Sequence, residues 1–340
     1  HAHPQVLGAI SAQLSTLGQV SNYFATPTQI GLAERLAAIV TANAPDTPAR
    51  VFLCNSGTEA NEAGFKLARL TGRPRIIAME GAFHGRTMGA LALTANPAYR
   101  QPFEPLPGGV TFIPYGDADA LAAELDDTVA AVVIEPIQGE NGVVDPGPDF
   151  LAKARELTSA TGTLLWRDEI QTGIGRCGDW LASTSSGVCA DIVTLAKGLG
   201  NGFPIGACVA TGAAAELFGP GAHGSTFGGN PVAAAAGLAV LSIIERDGLL
   251  AHVREAGDRL AQGIVDLHHP LVAEVRGRGL LRGVVLREPV AGAVAAAALD
   301  GGFVINAPRP NILRIAPALN ITFDQLDGFV AALPAFLDAR

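Results

Sequence analysis

Three short stretches of this sequence carry residues whose types and spacing could do chemistry together. Lys197 sits in DIVTLAKGLGNGFPIGACVAT (191–211), just past an apolar run and directly before Gly198, Gly200 and Gly202. Glycines there allow a ligand to approach the backbone closely. A lysine at such a strand end is expected to be partly desolvated, which lowers its pKa and makes the amine a nucleophile toward an aldehyde. Taken alone, it would pass for a surface lysine. Asp168 ends the apolar run of TLLWRDEIQTGIGR (163–176). A carboxylate in that place can hold a protonated ring nitrogen, so that the ring draws electrons from a reacting carbon. Its ordinary alternative is a capping or turn aspartate. In CNSGTEANE (54–62), Ser56-Gly57 makes a turn and Thr58-Glu59 begins a helix. The first N–H groups of a helix suit a phosphate, although Ser-Gly is also a common cap. Jointly the three stretches ask for one small molecule with an aldehyde, a ring nitrogen and a phosphate. Pyridoxal 5'-phosphate (PLP) has all three.

For these stretches to meet, the surrounding elements must place their ends side by side. Apolar spacing predicts a helix over 29–42. Strand-like runs follow at 50–55, 75–79, 130–134, 162–167, 191–195 and 206–211, with helices after the first of them and near 150–160. Short apolar strands separated by helices predict an α/β fold, with a mainly parallel central sheet and helices on both faces. Ligands of such sheets bind beyond the carboxyl ends of the strands, which is where all three stretches lie. From residue 231 the pattern changes to a long Ala-rich helix, a second helix, strands at 271–276 and 280–287, a helix at 291–300, a strand near 312–315 and a last helix from 322. The expected organisation is a remnant of an N-terminal segment (1–28), a large α/β domain (29–245) and a smaller C-terminal α+β domain (246–340).

Composition narrows the possibilities. With 49% hydrophobic and 16% charged residues, the chain has enough apolar material for a large core. A net charge of −9 with no basic run argues against nucleic acid. Apolar runs are short and broken, so no membrane span is expected, and the start HAHPQVLGAI does not resemble a secretory signal. Cys54, Cys177, Cys189 and Cys208 lack C-x-x-C spacing and neighbouring histidines. They read as reduced thiols of a cytoplasmic protein, with no metal site. The stretch GRGLLRG (277–283) misses the dinucleotide-binding spacing.

Set in order, CNSGTEANE, AFHGRTMGALALT (82–94), EPIQGENGV (135–143), DEIQTGIGR (168–176), LAKGLGNGFPIGA (195–207), GSTFGGNP (224–231), RGRGLLRG (276–283) and LRIAPAL (313–319) resemble the class III aminotransferases. These belong to the fold-type-I PLP superfamily, and the resemblance covers almost the whole chain. Within the class, the sequence is most similar to members that use an acylated ornithine. The resemblance implies that Lys197 carries the cofactor as a Schiff base and that Asp168 partners the pyridine nitrogen. It implies Ile170 against one ring face, Phe83 on the other, Gln171 near the ring hydroxyl, and Ser56, Gly57 and Thr58 on the phosphate. It also implies a homodimer in which Thr226 reaches the phosphate site of the neighbouring subunit. The substrates it implies are a small-molecule amino donor and 2-oxoglutarate. Arg314 would grip an α-carboxylate, Glu140 would pair with Arg314 when an ω-amine donor is bound, Arg86 would be a second carboxylate clamp, and Ser225 would join the substrate site. Arginine's planar fork matches a carboxylate. 2-Oxoglutarate needs two such forks and an acyl-ornithine one, so Glu140 would mask the spare charge.

The sequence departs from the family pattern in places. HAHPQV corresponds to a point well inside it, and lack of the preceding segment would expose apolar surface, weaken a dimer or leave the site incomplete. Trp166-Arg167 precede Asp168 where small or aliphatic residues are usual, and a charge there needs a partner or solvent. Pro317-Ala318 stands in place of a double proline. Other readings stay open: the same chemistry on ornithine, succinylornithine or 4-aminobutyrate, a PLP isomerase or racemase, or a remnant that binds PLP or only dimerises.

Overall fold

A computed structural model of the chain describes residues 1–21 and 23–339; Asn22 and Arg340 lie outside the described residues. The chain divides into two units. The first comprises His1–Pro136, Pro146–Ile174 and Ser183–Ile243, and the second Ile137–Asp145, Gly175–Ala182 and Ile244–Arg340.

Runs rich in Val, Ile and Ala, apolar on both faces, make the strands of the first unit. They are β1 (Ala49–Cys54), β2 (Arg75–Met79), β3 (Val110–Ile113), β4 (Val129–Ile134), β5 (Leu164–Asp168), β6 (Ile192–Leu195) and β7 (Gly206–Thr211). Every residue of β4, β6 and β7 is buried, as expected of a sheet covered on both faces. The sheet order is β1-β7-β6-β5-β4-β2-β3. From β6 to β3 neighbours are parallel, whereas β7 runs antiparallel to both β6 and β1. Two reversals return β1 to the direction of β6. The carboxyl ends of β1, β2, β4, β5 and β6 therefore share one edge.

The helices of this unit are α1 (Pro4–Thr16), α2 (Pro27–Val40), α3 (Gly57–Leu70), α4 (Met88–Ala92), α5 (Pro97–Arg100), α6 (Ala118–Glu124), α7 (Phe150–Thr161) and α8 (Pro231–Arg246), of which the last runs past the unit's end. The mainly parallel sheet flanked by helices matches the fold class read from the sequence. The sequence pattern did not indicate α1 or the four-residue β3.

The most informative helix is α3. Its buried residues are Ala60, Asn61, Ala63, Gly64, Phe65, Leu67 and Ala68, and the small ones among them let the helix lie close against the sheet. A Cβ on Gly64 would stand 2.5–2.8 Å from three ring atoms of Trp166 in β5. The Trp166 ring is wholly buried, and its Nε1 donates to Thr194 Oγ1 of β6 at 3.2 Å. The unusual tryptophan thus fits because the helix facing it carries no side chain there. Arg167, on the opposite face of β5, is also buried, and its Nη1 donates to Val188 O at 2.8 Å. The charge that the sequence left to find a partner is received by a loop carbonyl.

The second unit holds α9 (Leu249–Asp266), α10 (Ala291–Asp300) and α11 (Phe323–Asp338), with β8 (Val272–Arg278), β9 (Leu281–Leu286), β10 (Asn306–Arg309) and β11 (Ile312–Ile315). The strands form an antiparallel sheet in the order β10-β11-β9-β8. Its core joins Val253, Leu260 and Ile264 of α9 to Val284, Leu313, Phe329 and Leu333. A reciprocal cap between Thr322 and Gln325 starts α11. Among the described residues no helix is long and apolar enough to cross a membrane.

Replacing Gly64 by Ala tests the helix–sheet fit. Alanine favours a helix by about 1 kcal/mol over glycine, yet the added methyl meets a locked ring and should cost about 1–3 kcal/mol in overpacking. The expected result is a lowered melting temperature, recovered when Trp166→Leu is added to Gly64→Ala. A Gly64→Ala protein that melts higher than wild type would contradict the packing argument.

Candidate active site

A cavity of about 450 Å3 opens at the edge where the five strands end, and all of its lining belongs to the first unit. Ser56, Gly57 and Thr58 enter it after β1, Phe83 and Arg86 after β2, and Glu135 after β4. Asp168, Ile170 and Gln171 come from the end of β5 and Lys197 follows β6.

Asp168 is buried and receives three donors. Asn61 Nδ2 reaches its Oδ2 at 2.8 Å, His84 Nδ1 meets the same oxygen at 2.7 Å, and the Ile170 N–H reaches Oδ1 at 3.0 Å. Asn61 also donates to the His84 carbonyl at 2.6 Å, which ties α3 to the loop after β2. Burial by itself would push the His84 pKa down. Hydrogen bonding to Asp168 and the negative charges of Asp168 and Glu135 outweigh it, and the net direction is up. The His84 ring thus stands as a hydrogen-bond partner of the Asp168 carboxylate.

Glu135 is a second buried carboxyl in the same cavity. Its Oε2 accepts the Phe83 N–H at 3.1 Å, and its own carbonyl accepts Tyr115 Oη at 2.7 Å. Burial, reinforced by the Asp168 charge, pushes its pKa up to about 7, against the opposing pull of His84, the Phe83 N–H and Lys197. Asp168 and Glu135 therefore line the same cavity with different donor sets.

Lys197 adopts φ 46, a left-handed conformation that non-glycine residues rarely take. It opens a short 3-10 turn, Lys197–Gly200, after β6. Such backbone strain is found preferentially at functional sites. The desolvation expected from the sequence is not found, because the lysine is exposed along the open cavity.

At the other end, α3 begins at Gly57 with Ser56 as N-cap, whose Oγ accepts the Glu59 N–H at 3.3 Å. A Cβ on Gly57 would come 2.9 Å from Ile170, so glycine lets that side chain lie against the helix start. Thr58 Oγ1 accepts the N–H groups of Arg86 and Thr87 at 3.3 and 3.2 Å and pairs with Thr87 Oγ1 at 2.7 Å.

Nine of the residues singled out in the sequence thus line one cavity: Ser56, Gly57, Thr58, Phe83, Arg86, Asp168, Ile170, Gln171 and Lys197. Ser225 and Thr226 stand apart from its lining. Ser225 Oγ accepts from Asn55 Nδ2 at 3.1 Å, while the Thr226 carbonyl accepts from Gln19 Nε2 at 2.6 Å. Glu140 and Arg314 belong to the second unit, where Arg314 Nη1 pairs with Glu140 Oε1 at 2.6 Å.

The class-III aminotransferase family model matches residues 1–337. The acetylornithine aminotransferases of Mycobacterium tuberculosis and Streptomyces coelicolor are 57% and 55% identical over 338 and 339 residues, covering 99% of this chain and 84% and 83% of theirs. Among solved structures, an ornithine aminotransferase from Toxoplasma gondii ME49 is similar with a TM-score of 0.92 at 31% identity, over 100% of this chain and 84% of that one. A PLP-bound amine transaminase from an uncultivated Pseudomonas species gives 0.90 at 30%, over 100% and 88%. The chain belongs to the class-III aminotransferases.

In this class-III aminotransferase the residues present fit PLP. A helix start faces one end of the cavity, an amine stands at another, and a carboxylate with three donors already in place lies at the base. Sequence reasoning missed Asn61, His84 and Glu135. Two of them stand beside residues it chose, since His84 follows Phe83 and Asn61 lies on the buried face of the helix that Ser56 caps. Glu135 opens EPIQGENGV and directly follows an apolar strand, much as Asp168 closes one.

The raised pKa of Glu135 has a stability consequence. The folded state keeps the proton from the ordinary value of 4.5 up to about 7, whereas the unfolded chain gives it up. This group's contribution is therefore full below 4.5, is lost as the pH rises through about 7, and is level above. In the cofactor-free protein, Glu135→Gln keeps an acceptor for Phe83 and removes the titration. Its melting temperature relative to wild type should rise between pH 4.5 and about 7 and stay level above. A difference that does not change with pH would show that Glu135 titrates normally.

Proposed function

We propose that this chain transfers the δ-amino group of N2-acetyl-L-ornithine to 2-oxoglutarate, giving N-acetyl-L-glutamate 5-semialdehyde and L-glutamate, a reaction of arginine biosynthesis. The carrying observation is the meeting of Lys197, Asp168 and the start of α3 in one cavity, in a chain more than half identical to acetylornithine aminotransferases. PLP is the cofactor, and when bound it supplies the electron sink for the carbon that carries the migrating nitrogen.

The chain's own residues do the rest. The N–H groups of Gly57 and Thr58, with Ser56, bind the phosphate at the positive end of α3. Asp168 holds the proton at the ring nitrogen, and Asn61 and His84 hold Asp168. Phe83 and Ile170 wall the ring on its two faces, and Gln171 reaches its hydroxyl. Lys197 holds the cofactor through Nζ. Once displaced, the same amine moves the proton of the donor's δ-carbon. Arg86 and Arg314 each bind a carboxylate, with Ser225 assisting, and Glu140 masks Arg314 while the donor occupies the site. The nitrogen leaves as glutamate, so the kinetics are ping-pong. The active form is a homodimer in which Thr226 completes the phosphate site of the neighbouring subunit, and the protein works in the cytoplasm.

Two measurements test this reading. Wild-type protein with PLP and 2-oxoglutarate should form glutamate fastest from N2-acetylornithine in a panel with ornithine, N2-succinylornithine and 4-aminobutyrate; preference for another of these reassigns the donor. Lys197→Ala should lower turnover by more than about a hundredfold, the range for loss of a general acid–base group. Borohydride should no longer fix the cofactor to that variant. If borohydride still fixes it, another residue carries the cofactor.

A further inference from the structure

Arg86 lines the cavity, is exposed, and among the described residues has no carboxylate partner. What holds its guanidinium is aromatic. Its Cζ stands 3.7 Å from the centre of the Tyr99 ring and 5.5 Å from that of Phe83. The two rings meet edge to face, 6.3 Å apart at 88°. The backbone beneath is fixed as well, because the Arg86 N–H donates to Thr58 Oγ1 at 3.3 Å. Tyr99 is set by α5, with Pro97 at its start and the Asn96 side chain accepting the Ala98 N–H at 3.0 Å.

An acidic partner would orient an arginine but would occupy its N–H edge and cancel its charge. A ring face orients the guanidinium plane and leaves the in-plane donors available. We propose that Tyr99 is a positioning residue that sets the donor's carboxylate specificity. Its ring holds the Arg86 fork in plane, with the N–H edge directed to the α-carboxylate of the amino donor. This inference rests on the reading above that Arg86 is a substrate carboxylate clamp. Tyr99 itself touches neither the cofactor nor the reacting atoms.

The test compares N2-acetylornithine with N-acetylputrescine, the same molecule without its α-carboxylate, using holoenzyme. Tyr99→Leu should raise KM for acetylornithine about two- to fivefold, the change expected for loss of an exposed cation–π contact, with kcat little changed. It should leave kcat/KM for N-acetylputrescine unaltered. Tyr99→Phe, which keeps the ring, should restore the wild-type KM. Arg86→Gln should raise KM for acetylornithine, and adding Tyr99→Leu to it should do nothing more, because the two act as one unit. Equal losses on both donors, or additive effects of the two substitutions, would overturn the role of Tyr99 while leaving Arg86 as the clamp. An Arg86→Gln enzyme with unchanged KM for acetylornithine would instead overturn the clamp and, with it, this inference. If Tyr99→Leu yields no soluble protein, Tyr99→Gln gives the same comparison with a different side chain lacking a ring.

Discussion

The burial of one carboxylate, that of Asp168 at the end of β5, sets the geometry of this edge of the sheet. A buried charge is costly unless its hydrogen bonds are supplied. They come from α3 through Asn61, from the loop after β2 through His84, and from the backbone of Ile170. Asn61 fixes the rotation of α3 about its axis. One turn further along the helix, Gly64 then meets Trp166, two residues before Asp168 on the same face of β5. One turn earlier, the start of the helix faces the cavity, with Gly57 against Ile170. The helix that supports the acid is thus the one that offers its N-terminus to an anion. The distance between the two functions is built into a single rigid element.

The same cavity treats its charged groups in different ways. Asp168 has three donors, while Glu135 takes the Phe83 N–H and has a like charge nearby, so its proton is retained toward neutrality. Arg86 is held by rings and keeps its donors for a ligand. Lys197 is held by a strained backbone and not by burial. At Arg86, positioning has therefore been separated from neutralisation. A site that must receive substrates of different charge in turn gains from a cation that is oriented without being paired, because an internal partner would have to be displaced each time.

Much of this arrangement was legible in the sequence, for a definite reason. Lys197, Asp168 and Ser56–Gly57–Thr58 each follow a short apolar run that reads as a strand, and parallel strands bring such ends together. The strands predicted at 75–79 and 206–211 coincide with β2 and β7. Short elements were less readable. The four residues of β3 lie between Gly-Gly and Pro, and its pairing with β2 is what makes it a strand. The supports of Asp168 were not readable at all, because Asn61 is 107 residues and His84 84 residues distant from it in sequence. Trp166 looked anomalous for the same reason: the glycine that admits it is on another element. The chain order of the second unit was also hidden, since Ile137–Asp145 and Gly175–Ala182 leave the first unit's sequence to join it.

The Glu140–Arg314 pair sits in a firm frame. Gln138 and Val144 exchange backbone hydrogen bonds at 2.9 and 3.0 Å, closing the turn between them. The Asn141 amide is held at both ends, donating to Gln138 Oε1 at 2.9 Å and accepting from Arg309 Nη2 at 2.7 Å. Arg276 grips the Gly142 carbonyl through Nε and Nη2 at 3.0 and 2.8 Å. Gly142 has φ 98, with Ile312 packed where a side chain would be. Glu140 alone projects from this frame, 37% exposed, to meet Arg314. Arg314 is itself only 15% exposed, and the rest of the turn is held by contacts that do not involve the pair. Any exchange of partners at Glu140 is therefore a rotation of one side chain over a fixed backbone. Such a rotation leaves the spacing between the residue's backbone and its arginine's strand unchanged.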